Sequence, residues 1–168
     1  MTRRDFTAED LEALASEFRR LGHPDPVATA RSQLREGIDH LTPYRFMRLA
    51  WQCVVADGDT GWIDAQIRDA ERHPGQSFTG IGEALQRMLA AGAERADLAE
   101  LVRGMQVQFM HDLFFRMTFP GEGDDGTAWG VVKFSTSDDD PQPGAIVDGL
   151  HELVLDTDPA GREMRPRR

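Results

Sequence analysis

A chain of 168 residues, 40% hydrophobic and 29% charged, has the size and balance of one folded domain. It has no apolar run near the roughly 20 residues that a bilayer span needs, so no membrane partner is expected. The formal charge of −10, from 19 basic and 29 acidic residues, argues against nucleic acid, because phosphate binding requires a basic surface and the arginines here are interspersed with acids.

The chain begins with two arginines followed by acids and lacks a secretory signal pattern, which points to the cytoplasm. Thr7 and Asp10 have the spacing of a capping box, with Asp in the place of the usual Glu or Gln. Leu11, Leu14, Phe18 and Leu21 then continue an apolar stripe, predicting a first helix that ends at Gly22. Asp25 and Pro26 offer a cap and a first-turn proline for a second, weakly apolar surface helix running to about Glu36. Thr42 and Pro43 repeat that arrangement before a third helix, whose core face is expected to hold Phe46, Leu49, Ala50, Cys53 and Val54. Cys53 is the only cysteine, and the apolar run around it predicts a small buried hydrophobe.

Residues 57–61 alternate acids with small residues like the start of a calcium loop. The twelfth position from Asp57, however, is Arg68 where such a loop needs an acid, so the stretch reads as a polar turn capping a fourth helix to Arg72. Ser77 or Thr79 can cap a fifth helix, with Ile81, Leu85, Met88 and Leu89 turned to the core and Gly92 closing it. The run from Asp97 to Phe119 is the longest periodic one. Leu98, Leu101, Val102, Met105, Phe109 and Leu113 fall on one side, and Val107, Met110, Phe114 and Met117 load the other. It is read as a central helix that needs cover on two sides.

After Phe119 come an acidic loop, a strand over WGVVKFS, a second acidic loop and a returning strand over AIV. A short helix from Asp148 to about Leu155 follows, and then a turn at Asp158–Gly161. The expected fold is therefore mainly α (α+β): one domain over residues 1–168, with five or six helices around the long one and a small C-terminal β-hairpin. The WG of Trp129, the GLHE of Gly149 and the DPAGREMRP ending from Asp158 to Pro166 resemble the ending of a group of small bacterial proteins of unknown function. The resemblance covers about the last third of the chain and implies no activity.

No nucleophile elbow, phosphate loop or zinc-protease motif is present, and no catalytic residue, metal or cofactor is expected. The competing enzymatic reading is a metal or acid–base site built on His111, His151 and Glu152. A stronger signal is acidity. Residues 120–168 carry 11 acids against five basic residues, including Glu122, Asp124 and Asp125 in one loop and Asp138, Asp139 and Asp140 in the other. These six are the expected partner-binding residues. They suit either a solvated pair of loops or a surface meeting a basic protein, such as an immunity-type inhibitor facing a basic toxin. A homodimer through an apolar helical face is the alternative.

Overall fold

The computed structural model describes residues 6–118, 130–134 and 143–166. Seven α-helices and one two-stranded sheet are formed among them: α1 (Ala8–Arg20), α2 (Pro26–Glu36), α3 (Leu41–Ala50), α4 (Gly61–Arg72), α5 (Gly80–Ala90), α6 (Arg95–Thr118), β1 (Val131–Phe134), β2 (Pro143–Val147) and α7 (Leu150–Asp156). The fold is mainly α with a C-terminal β-hairpin, as the sequence indicates.

The start of α1 follows directly from its residues. The Asp10 backbone N–H donates to Thr7 Oγ1 and the Thr7 N–H donates to Asp10 Oδ2, so the short Asp completes the reciprocal box. The Thr7 N–H and the Thr7 hydroxyl, both donating to Asp10 Oδ2, hold the Asp10 carboxyl below its ordinary range. Asp25 caps α2 through the Ala28 N–H, and α2 packs on α1 with Ala30 fully buried between them. Phe18 meets both His23 and Tyr44 edge to face beside this contact, and the His23 and Tyr44 rings lie tilted against each other. His23 Nδ1 accepts from the Asp25 N–H, and burial lowers its basicity against an opposing pull from Asp25. A lowered folded-state pKa means that the unfolded chain takes up the proton first as pH falls. Stability from this group is therefore full above its unfolded pKa, about 6.5, and declines below it. We expect His23→Phe to flatten the fall in melting temperature between pH 7 and pH 5; equal slopes for both proteins would remove the assignment.

The third helix shows a correction. Its core face is Tyr44, Met47 and Trp51, while Leu49 and Cys53 are exposed. The chain tightens from α-helix into a single 3-10 turn at Trp51–Cys53, so the 3.6-residue period that would carry Cys53 inward stops. Burying Met47 and Trp51, one turn apart, also removes more apolar surface than Leu49 and Cys53 would.

Three apolar clusters result. Ala15, Phe18, Ala30 and Tyr44 form the first; Ile63, Leu85 and Leu98 form the second. The third joins Met47 and Trp51 to Val107, Met110 and Phe114 of α6 and to Val147, Leu150 and Val154 near the C-terminus. Helix α3 links the first to the third, and α6 links the second to the third. In the hairpin, Val131 opposes Val147 on the core side, and Val132 opposes Ile146 with Ile146 exposed. A register shift separates Val132 from Phe134, which opposes Pro143. No helix among the described residues is long and apolar enough to cross a membrane.

Candidate binding site

Helix α6 carries apolar residues all round, and the structure covers only part of them. Val107, Met110 and Phe114 are buried against α3, the hairpin and α7, and Ala99 is buried on the same stripe. On the other flank, Leu98 is buried under α4 and α5, but Leu101, Met105, Phe109 and Leu113 are left open, Met105 at 64% and Phe109 at 69% exposure. Spaced by four, these form one continuous ridge along the helix. From α5, Ile81 and Met88 are likewise open, contrary to the expected inward face. The reason is that α5 lies along α4 so closely that Gly82 and Leu85 fill the contact, turning Ile81 and Met88 toward the outer edge.

Between these elements lies an open groove of about 720 Å³. Its walls are Ile81, Ala84 and Met88 from α5, Val102, Met105, Gln106 and Phe109 from α6, and Trp62 and Gln66 from α4, with Val55 also lining it. No lining residue is charged. Phe78, just before α5, has φ +71° with its ring 81% exposed, a conformation that costs a bulky residue of order 1 kcal/mol and presents another aromatic group to solvent.

The Val55 part of the lining is fixed from inside the core. Gln106 Oε1 accepts the Val55 N–H at 2.8 Å, and one turn earlier Arg103 donates to the Val55 carbonyl at 2.6 Å. Arg103 is 2% exposed. Its guanidinium lies over the Trp51 ring and pairs with the buried Asp158 carboxylate. Trp51 in turn donates to Thr157 Oγ1, and Asp158 Oδ1 accepts the Ala160 N–H. The DPAGREMRP ending therefore folds back as a clamp. Arg162 reaches Asp57 at 2.6 Å and Glu100 at 2.9 Å, its basicity raised chiefly by the Glu100 hydrogen bond, and Met164 packs by Gly104. Arg165 pairs with Glu163. The C-terminal arginines within the described residues are thus held in structural pairs.

His111 and His151 do come together, with ring centroids 6.4 Å apart edge to face, and Phe115 packs against both rings. His111 Nδ1 lies 3.2 Å from Asp112, and His151 Nε2 lies 4.0 Å from Glu152, whose carboxylate is largely in solvent. Among the described residues no three His, Cys, Asp or Glu side chains converge as a metal-binding group. The contact is aromatic packing between α6 and α7. Glu122, Asp124, Asp125, Asp138, Asp139 and Asp140 lie outside the described residues.

No family model, curated protein or solved structure matches the chain.

Proposed function

We propose that this chain is a non-enzymatic protein-binding module whose working surface is the α5–α6 groove and the ridge beside it. The observation that carries the reading is the size of the open apolar face. Ile81, Met88, Leu101, Met105, Phe109 and Leu113 together leave on the order of 600 Å² of apolar side chain in solvent. That is the upper end of what a monomer displays, and it approaches the roughly 800 Å² that one partner contributes to a standard interface. A photoreactive phenylalanine analogue in place of Phe109 tests this in the native cells. It should give a protein adduct on illumination, while the same analogue at the exposed Arg31 on α2 gives none. Absence of any adduct from position 109 would end the reading.

Charge supports a second reading. A net −10, concentrated beyond Phe119, favours encounter with a basic protein, and the acidic residues Glu122, Asp124, Asp125, Asp138, Asp139 and Asp140 are the groups proposed to meet it, in an immunity-type inhibitor of a basic toxin acting in the cytoplasm. Neutralising Asp138, Asp139 and Asp140 together to Asn should slow association with such a target roughly tenfold at low ionic strength and much less at about 0.5 M salt. An unchanged rate at low salt would contradict it.

A further inference from the structure

We infer that the occupant of the α5–α6 groove is a second copy of this chain, forming a two-fold dimer in which the α6 helices cross antiparallel. This rests on the reading of the groove as a protein interface and names its partner. Three observations carry it.

The first is chemical. Transient interfaces are about as polar as ordinary surface, whereas homodimer interfaces are more apolar and their centres are depleted of charge. The groove lining holds no charged side chain in a protein of net charge −10, so nothing in it selects a basic stranger over a neutral surface. Two acidic copies can approach closely only through such a neutral face.

The second is shape. A two-fold interface uses the same patch on both sides, so the patch must complement itself. Here a ridge (Leu101, Met105, Phe109, Leu113) runs beside a groove, with Met105 and Phe109 belonging to both. A two-fold axis near Met105 lays each ridge against the other copy's groove. Rows spaced by four on one helix packing against rows spaced by three on the other cross at about 20°, which keeps the two α6 axes close along their length.

The third is the charge at the two ends of the ridge. Glu94, immediately before α6, is exposed, and so is Arg116, one turn beyond the last ridge residue. Each lies 11 residues from Met105, so an antiparallel partner brings Arg116 of one copy to Glu94 of the other. A parallel arrangement would set like charges together instead.

Sedimentation equilibrium of the full chain tests this. The wild type should be a dimer at roughly 10–100 μM, where an interface of this size is populated. Phe109→Glu should raise the dissociation constant by roughly 100-fold or more, since symmetry removes two central anchors at once. Arg116→Glu should weaken the dimer by roughly tenfold, and adding Glu94→Arg should restore it. Leu49→Glu, on another exposed apolar residue, should leave the dimer intact. All of these positions are exposed, and circular dichroism of each variant is the check that it folds. A monomeric wild type at 100 μM, a dimer indifferent to Phe109→Glu, or no rescue by Glu94→Arg overturns the inference as stated. A monomer whose position 109 still crosslinks to a different protein overturns the second copy while leaving the protein-binding reading in place.

Discussion

Arg103→Ala is expected to lower stability by about 3–5 kcal/mol, because it strands the buried Asp158 carboxylate without its cation. The same change removes the donor to the Val55 carbonyl and the cation stacked on Trp51. Against a total of about 5–15 kcal/mol, this is a shift in melting temperature on the order of 10 °C. Asp158→Ala should cost a comparable amount, since it leaves the guanidinium unpaired and the Ala160 N–H without its acceptor. The double variant should cost clearly less than the sum of the two singles, which is the signature of one shared interaction. Thermal unfolding of the three variants measures this. A loss below about 1 kcal/mol for Arg103→Ala would show that the clamp does not hold the C-terminal segment to α6.

Gly82→Ala is the second large effect, and its sign opposes helix propensity. In an open helix interior, Ala is favoured over Gly by about 1 kcal/mol. Here a Cβ would stand 2.2 Å from the Gln66 carbonyl oxygen and 2.7 Å from Ala70 Cβ, so the backbones of α4 and α5 must part by roughly 1 Å. We expect a net loss of about 2–3 kcal/mol, read by denaturant unfolding. An increase in stability would mean that the two helices are not in backbone contact. Because the groove is walled by α5 and floored by α4, the same variant should also weaken self-association.

Most local signals were legible in the sequence, but the expected Thr42 cap was not one of them: α3 begins at Leu41 after His40, and Thr42 lies inside it with its N–H donated to Asp39 Oδ1. Thr7 with Asp10, Asp25 with Pro26, and the alternation of Val131 through Phe134 all produced the elements they announce. The periodicity of α6 announced a helix needing cover on two sides, but periodicity records which residues are apolar and not what covers them. Only the packing of α4 and α5 shows that Leu98 is covered while Met105 and Phe109 are not. Similarly, Cys53 looked inward until the 3-10 turn broke the helical phase. Arg103 was missed because its partners lie 48 and 55 residues away. The available signal was its phase: it falls on the buried stripe with Ala99, Val107, Met110 and Phe114, where a lone cation requires a buried anion. The DPAGREMRP ending supplies that anion, Asp158, and the clamping cation Arg162. The site is thus a consequence of tertiary packing in a way that the helices themselves are not.

Hydroxyl-radical footprinting in the native cells is the most direct measurement of whether the α5–α6 face is covered. It reads side-chain exposure of Met88, Met105 and Phe109 against the fully buried Met47 as an internal reference. If the face is a protein interface, Met88, Met105 and Phe109 should be protected in wild type, and Met88 and Met105 should become reactive in Phe109→Glu. Oxidation of Met105 in wild type at the rate of a freely exposed methionine would contradict the account.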